Sequence, residues 1–297
     1  MRRIFITGGT GFIGRAIVRK LVTRPDVERI VCLTRGHRTT LLAHEKIAYW
    51  LGDVTQCQFP DDEFTDLIHG ANDANDLLQP DQHHYYYSMV EGTARVFKWS
   101  LGKKMRRLLL SSGAVARDTI YGRAKRQCER IVNDSGAWTQ IARIFSVVGE
   151  EMPLNGQYAV GQFVHQAVND GIVKVYGGTS VRSYLHVDDC ADWLSAIMDS
   201  GTTIPVDVAG DPPYSILTVA QMVADTFGVP CERTNGPDRD DFYLPDLRKA
   251  ESLGLRVTIP FDEALRRIRA HFLIANSQQA GRTGASSPLY CGTGQGA

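Results

Sequence analysis

The sequence lacks an excess of charge of either sign. Its 297 residues include 33 Lys and Arg side chains and 33 Asp and Glu side chains, so the formal net charge is zero. Proteins that bind nucleic acid or a membrane surface commonly carry a marked basic excess, and we therefore expect neither kind of partner. An anionic ligand would need a local group of cationic side chains instead.

The sequence also lacks paired cysteines, a metal-ligand cluster and a long apolar run. Its six cysteines are scattered without a CxxC motif, and the adjacent His83 and His84 would not share a helix face. We therefore expect no metal site and a reduced, cytoplasmic protein. The first apolar run covers only residues 4–6, too short for a signal peptide, and no run reaches the length of a membrane span.

Short apolar runs alternate with amphipathic segments through the first half of the chain. This alternation is typical of an α/β fold with a Rossmann-type, doubly wound parallel sheet, in which ligands bind at the carboxyl ends of the strands. The predicted strands are 4–7, 30–34, 48–51, 67–69, 108–111 and 141–145, and the predicted helices are 14–23, 85–101 and 121–135.

The pattern becomes less regular after Gly149. A loop leads to a predicted helix at 159–169, a strand at 173–176 and helices at 217–227 and 262–272. We expect a dinucleotide-binding domain over 1–150, to which 184–200 returns, and a smaller α/β substrate-binding domain over 151–275. Residues 278–297 are rich in Gly, Ser and Thr without periodicity, which predicts a disordered tail.

A glycine-rich turn follows the first predicted strand and opens the first predicted helix, with the sequence TGGTGFIG at 7–14. Side chains at Gly8, Gly11 and Gly14 would block the turn, the approach of a phosphate and the packing of helix on strand, respectively. Phe12 and Ile13 carry the turn into the helix. The pattern predicts a dinucleotide with its pyrophosphate at the helix N-terminus.

No carboxylate follows the second predicted strand, where an acidic residue would accept from the ribose 2′-hydroxyl of NAD. Arg35, and with it Arg38, would instead pair with a 2′-phosphate, so NADP(H) is favoured over NAD(H); the alternative is that both are solvated loop residues. Asp53 and Val54 suit the adenine edge. Ala71 follows the fourth strand, where small residues let the cofactor lie close.

A tyrosine and a lysine stand four residues apart on a predicted helix, at Tyr121 and Lys125, and so share one face. An ammonium stabilises a phenolate, so we expect Lys125 to lower the pKa of Tyr121. Such a tyrosine exchanges a proton with a carbinol or carbonyl oxygen while a nicotinamide exchanges hydride. Ser112, at the end of the fifth strand, is placed to hydrogen-bond the same oxygen. These three residues are the predicted catalytic set.

With these motifs the chain resembles the extended short-chain dehydrogenase/reductase family, especially its NAD(P)-dependent nucleotide-sugar epimerases, dehydratases and reductases. The resemblance also rests on Arg143-Ile144-Phe145 with Gly149 and on RSYLHVDD at 182–189. It implies that Arg182 contacts a substrate diphosphate, with a surface salt bridge as the alternative. It further implies that Arg239 adds a second contact and that Ser146 stands where an asparagine often meets the substrate.

The departures from the family pattern reduce the number of reactions that the chain is expected to catalyse. In the 4,6-dehydratases an Asp-Glu pair follows the catalytic hydroxyl residue, whereas Ser112 is followed by Gly113-Ala114, which cannot transfer protons. Ser112 and Tyr121 are only nine positions apart, and Ala116-Arg117 replace the usual Tyr-Gly, so a substrate-covering loop is expected to be shortened. Met89 stands where the family usually has asparagine.

The sequence therefore favours hydride transfer at C4 of a nucleotide-linked sugar, by a 4-ketoreductase or a 4-epimerase. The alternatives are a dehydratase-like protein, reduction of a ketone without a nucleotide, and a non-catalytic dinucleotide-binding regulator. The resemblance implies a homodimer and a role in polysaccharide or deoxysugar biosynthesis.

Overall fold

The computed structural model describes residues 1–36, 41–72, 82–154, 158–234, 236 and 241–283, with the backbone alone at 82 and 275–283. The predictions for Arg38 and Arg239 lie outside these residues. In chain order the strands are β1 Arg2–Thr7, β2 Val27–Thr34, β3 Ile47–Leu51, β4 Asp66–His69, β5 Arg106–Ser112, β6 Gln140–Ile144, β7 Ser146–Val148, β8 Val173–Tyr176, β9 Val181–Arg182, β10 Tyr184–His186, β11 Val206–Val208, β12 Tyr214–Ser215, β13 Cys231–Thr234 and β14 Phe242–Tyr243. The helices are α1 Phe12–Val22, α2 Gln82–Ser100, α3 Ile120–Asp134, α4 Ala159–Asn169, α5 Val187–Ser200, α6 Ile216–Phe227, α7 Arg248–Ser252 and α8 Phe261–Thr283.

A seven-stranded parallel sheet forms the centre of the N-terminal part, in the order β11-β6-β5-β4-β1-β2-β3. Alternate residues of β1 enter different apolar clusters: Ile4 and Ile6 face one side and Phe5 the other. Burial on both faces is why these strands read as continuous apolar runs in the sequence. The predicted doubly wound fold is confirmed.

Helices cover both faces of this sheet. On one face α1 packs against α5, and on the other α2 packs against α3. The strand order reverses between β1 and β4, where Thr7 lies beside His69. A crevice forms outside the carboxyl ends of the strands at such a reversal, so this edge is where a ligand is expected.

The C-terminal elements build a smaller apolar cluster around α4, α6 and α8. A three-stranded sheet in the order β12-β9-β14 lies in this part, and β14 runs parallel to β9 with only two residues in register. The segment 187–200 forms α5 on the large sheet, and 206–208 adds the edge strand β11. Helix α8 continues to Thr283, so the first six residues of the predicted disordered tail are helical.

No helix in the described part of the chain is both long and apolar enough to cross a bilayer. The same residues contain no group of three His, Cys, Asp or Glu side chains that could hold a metal ion.

Candidate active site

The glycine turn between β1 and α1 is closed by backbone on two sides. Gly8 has a φ of +78°, and a Cβ there would lie 2.6 Å from the carbonyl carbon and oxygen of Gly70. A Cβ on Gly14 would lie 2.0 Å from the Gly8 carbonyl oxygen. Gly11 is the N-cap of α1, and its N–H donates to the Gly8 carbonyl at 3.1 Å. The first N–H groups of any helix lack intrahelical partners, so this turn suits a pyrophosphate.

A buried hydrogen-bond chain supports the floor of the turn. The Thr7 hydroxyl lies 2.7 Å from His69 Nδ1, and His69 Nε2 lies 3.0 Å from the Thr93 hydroxyl. Because the Thr93 hydroxyl donates to the Met89 carbonyl at 2.9 Å, we assign the His69 proton to Nε2. Burial, together with the charge of Lys125, lowers the pKa of His69 to about 3. His69 is therefore neutral in the folded protein.

The loops that follow β2 and β3 form another part of the predicted cofactor site. Arg35 follows β2 and is exposed. The Asp53 carboxylate accepts from the Thr55 N–H at 2.8 Å and from its hydroxyl at 2.6 Å. Burial would raise the pKa of Asp53, but the bonds from Thr55 and the charge of Arg35 leave it below its ordinary value. The Asp53 side chain therefore shapes this turn and carries charge opposite Arg35.

The structure brings the predicted catalytic residues together at the carboxyl end of β5. Ser112 is the last residue of β5, and its Oγ accepts from the Ala114 N–H at 3.2 Å. Helix α3 is capped by the Thr119 hydroxyl, which accepts from the Gly122 N–H, and this start places Tyr121 in the first turn within hydrogen-bonding reach of Ser112. The Lys125 Nζ donates to the Leu110 carbonyl at 3.1 Å and lies 5.7 Å from the centre of the Tyr121 ring.

The pKa of Tyr121 lies above its ordinary value in this structure, whereas the sequence spacing led us to expect that Lys125 would lower it. Burial raises the pKa of the phenol above its ordinary value, and the hydrogen bond with Ser112 offsets this only in part. Burial also lowers the pKa of Lys125, and its ammonium is engaged by the Leu110 carbonyl. The cost of burying a phenolate therefore sets the direction of the shift, and Tyr121 is protonated at neutral pH.

Tyr243 belongs to the candidate site, and the sequence alone did not reveal it. Its hydroxyl lies 3.2 Å from Ser112 Oγ, across 131 positions of sequence, and its ring packs on Phe145 with centroids 4.6 Å apart. Burial raises the pKa of Tyr243 to about 12. The Ser112 hydroxyl is thus flanked by two protonated phenols, Tyr121 and Tyr243.

Arg117 and Asp241 were also missed as a pair. The Asp241 carboxylate accepts from the guanidinium groups of Arg117 and Arg182, the latter at 2.6 Å. Arg117 and Asp241 border a cleft of about 440 Å³ beside Gly113. The only sequence signal was the replacement of the usual Tyr-Gly by Ala116-Arg117, which did not reveal where Arg117 would point.

Other predicted residues take supporting positions. Ser146 begins β7 and pairs in register with Tyr184 of β10. Met89 is buried in the apolar cluster between α2 and α3. In the segment that resembles the family motif, His186 Nε2 lies 3.2 Å from a Glu150 carboxylate oxygen, and Nδ1 accepts from the Asp188 N–H at 3.2 Å. His186 therefore stabilises the start of α5.

Comparisons with known proteins agree with this geometry. Residues 4–208 match the model of the NAD dependent epimerase/dehydratase family. The chain is 24% identical over 314 residues to UDP-glucuronic acid decarboxylase 1 of Xenopus tropicalis, covering 91% of this chain and 72% of that protein. The solved UDP-N-acetylglucosamine 4-epimerase of Methanobrevibacter ruminantium, in complex with UDP-N-acetylmuramic acid, superposes with a TM-score of 0.80 at 18% identity, covering 92% of this chain and 99% of that one. MoeE5 in complex with UDP-glucuronic acid and NAD gives a TM-score of 0.79 at 20% identity, with the same coverage.

The two solved structures establish a shared fold. The family model extends from the first strand of the sheet to its last, β11, and so includes the glycine turn, Ser112, Tyr121 and Lys125. The resemblance inferred from the sequence is confirmed at the level of the family. The chain belongs to the NAD dependent epimerase/dehydratase family.

Proposed function

We propose that the protein is an NAD(P)-dependent oxidoreductase or epimerase that exchanges hydride at C4 of a nucleotide-linked sugar. The observation that carries this proposal is the convergence of Ser112, Tyr121 and Lys125 at the end of β5. Lys125 also lies close enough to His69, on the floor of the glycine turn, for its charge to act on that ring. The proton-transfer group and the dinucleotide site therefore adjoin.

A protonated tyrosine favours ketone reduction as the chemical direction. When bound, the nicotinamide supplies hydride to the sugar carbon. Tyr121 donates its proton to the ketone oxygen as that oxygen gains charge, and Ser112 holds the oxygen by a hydrogen bond. Lys125 stabilises the phenolate that remains and holds the cofactor ribose. The raised pKa of Tyr121 keeps the phenol protonated at neutral pH, in the form that this step requires.

The same three residues serve a 4-epimerase, in which the cofactor is retained and the keto sugar turns before hydride returns. That cycle begins with removal of a proton from the C4 hydroxyl, which the raised pKa of Tyr121 makes harder. Dehydration across C5 and C6 needs an acid and a base beside Ser112, and Gly113 and Ala114 provide neither. We therefore place the ketoreductase first.

The substrate end of the proposal rests on Arg182. Its guanidinium already holds a carboxylate, that of Asp241, and a diphosphate presents comparable anionic oxygens. Ser146 and Arg239 remain proposed substrate contacts. We further propose a cytoplasmic homodimer that acts in polysaccharide or deoxysugar biosynthesis.

For the cofactor we propose NADP(H), on Arg35 alone. The residue is exposed directly after β2, where a 2′-phosphate would lie. The MoeE5 structure holds NAD, so NAD(H) is the competing choice, and a comparison of the two cofactors must decide.

The test is the loss of NADPH absorbance with purified protein and a panel of nucleotide-linked 4-keto-6-deoxyhexoses, with NADH in parallel. Tyr121→Phe should lower the rate by at least about 100-fold, because it removes the proton donor. Tyr87→Phe is the matched control, since Tyr87 lies on α2 with 63% of its surface exposed.

Each result has a distinct meaning. A Tyr121→Phe variant at full rate would refute the mechanism. Bound cofactor without net oxidation, but with interconversion of C4 epimers, would identify the epimerase. Cofactor binding without any turnover would identify the regulator.

A further inference from the structure

Two arginines from separate elements converge on one carboxylate at the cleft. Arg117 follows the 3₁₀ turn Gly113–Ala116, and Arg182 lies on β9. Each bonds a different oxygen of Asp241, and Arg182 also donates to the Asp241 backbone carbonyl at 2.7 Å. Burial would raise the pKa of Asp241, but the two arginines hold it below its ordinary value. Asp241 is therefore an internal anion on a two-guanidinium site.

This arrangement leaves the cations in excess. The side chains of Arg117 and Arg182 are 30% and 19% exposed, so both are partly withdrawn from water. Planar guanidinium groups bind carboxylate and phosphate oxygens through paired N–H donors. Because one carboxylate faces two arginines, the site has the charge and the donors for a more highly charged anion.

Tyr243 connects this site to the reaction centre. The Arg117 guanidinium lies over the Tyr243 ring, 4.5 Å from its centre, and Arg182 lies 5.8 Å from the same centre. The hydroxyl of that ring contacts Ser112. A single aromatic ring therefore separates the paired arginines from the catalytic hydroxyl, so an anionic group on a substrate held at Ser112 is within reach of Arg117.

We propose that Arg117 is a substrate-recognition residue, and that it and Arg182 together bind the anionic group of the nucleotide-linked sugar in place of the Asp241 carboxylate. The inference rests on the proposed function for the kind of substrate. The anionic oxygens come from the diphosphate or from a carboxylate on the sugar ring, and both present the same chemistry to the two guanidinium groups.

The proposal predicts opposite effects for the two partners of one ion pair. Arg117→Gln removes a charged donor and should weaken ligand binding about ten-fold or more. Asp241→Asn removes the competing anion and should strengthen binding several-fold. An ion pair that only stabilises the cleft predicts weaker binding, or no change, for both variants.

The experiment is calorimetric titration of the full chain with UDP, dTDP, UDP-glucose and UDP-glucuronate at one fixed salt concentration. Arg123→Gln is the control, since Arg123 is an exposed arginine six residues along whose ion pair is with Asp118. Unchanged dissociation constants in Arg117→Gln, or Asp241→Asn that weakens binding as Arg117→Gln does, would overturn the proposal.

The ligand series distinguishes the two sources of the anion. A loss in Arg117→Gln that is equal for the diphosphates and both sugars assigns the anion to the diphosphate. A loss confined to UDP-glucuronate assigns it to the sugar carboxylate. Binding needs no turnover, so these ratios can be measured even when the hydride-transfer assay fails. Equal dissociation constants for the wild type and Arg117→Gln would overturn this inference even when the NADPH assay succeeds.

Discussion

Replacing Gly14 by alanine is expected to damage both the fold and dinucleotide binding, whereas replacing Gly11 should damage binding alone. A Cβ on Gly14 would lie 2.0 Å from the Gly8 carbonyl oxygen and 2.7 Å from the Gly9 Cα. Both are backbone atoms of the turn, so no side-chain rotation relieves the clash. Among the atoms of the described residues, a Cβ on Gly11 would contact only the Gly8 carbonyl oxygen, at 3.3 Å.

These contacts determine how much stability each of the two substitutions is expected to cost. Overpacking a close-packed region costs about 1–3 kcal/mol, and a backbone clash this short belongs at the upper end or above. Gly11 has a φ of −79°, which any residue adopts. Alanine in place of glycine at an N-cap should cost about 1 kcal/mol or less. The Cβ on Gly11 would, however, stand where the pyrophosphate is proposed to approach α1.

Urea unfolding and titration of NADPH fluorescence measure the two effects separately. Gly14→Ala should lose about 3 kcal/mol of unfolding free energy and show little NADPH binding. Gly11→Ala should stay within about 1 kcal/mol of wild type while its NADPH dissociation constant rises about ten-fold or more. Wild-type stability in Gly14→Ala would refute the packing argument, and wild-type affinity in Gly11→Ala would refute the approach of phosphate over that residue.

Two further predictions concern Arg35 and His69. Arg35→Ala should weaken NADPH binding about ten-fold with less than about a two-fold change for NADH, because it removes a charge-assisted bond to the 2′-phosphate; equal losses in a paired titration would contradict the assignment. The unfolding free energy should rise with pH between about 3 and 6.5, by up to about 1.4 kcal/mol per pH unit, since the unfolded chain protonates His69 in this window and the folded chain does not. Urea unfolding at several pH values tests this, and a slope that His69→Gln leaves unchanged would show that other groups cause it.

The sheet could be predicted because its strands are apolar over short runs and separated by helical periodicity. The ends of the strands were harder to predict from the sequence where a charged residue lies within a strand. The sequence pattern starts the first strand at Ile4, whereas β1 begins at Arg2, which is buried. Arg2 Nε donates to an Asp66 carboxylate oxygen at 3.0 Å, so a partner 64 positions away makes the burial of a guanidinium tolerable. The sequence pattern around Arg2 contains no information about a partner so far along the chain.

The residues of the candidate site likewise fall into two groups, those that the sequence reveals and those that only the fold brings together. Ser112, Tyr121 and Lys125 were accessible because a strand end and a four-residue helical spacing place them locally. Tyr243 reaches Ser112 through the pairing of β14 with β9, which involves only two residues of each strand. A pairing so short has no periodicity to detect, so Tyr243 could be found only in three dimensions.

The pKa of Tyr121 shows why the spacing of two charged or polar residues is insufficient to predict the direction of a pKa shift. The spacing of Tyr121 and Lys125 argues for a stabilised phenolate, but it says nothing of how much water the folded chain removes from the phenol. Once α3 packs on the sheet, the loss of hydration opposes ionisation and is the largest cause of the raised pKa. The same packing places the Tyr243 hydroxyl beside Ser112, so the site offers protonated donors to a substrate oxygen. The ketone reduction proposed above would use such donors, because the carbonyl oxygen must gain a proton as it becomes an alcohol.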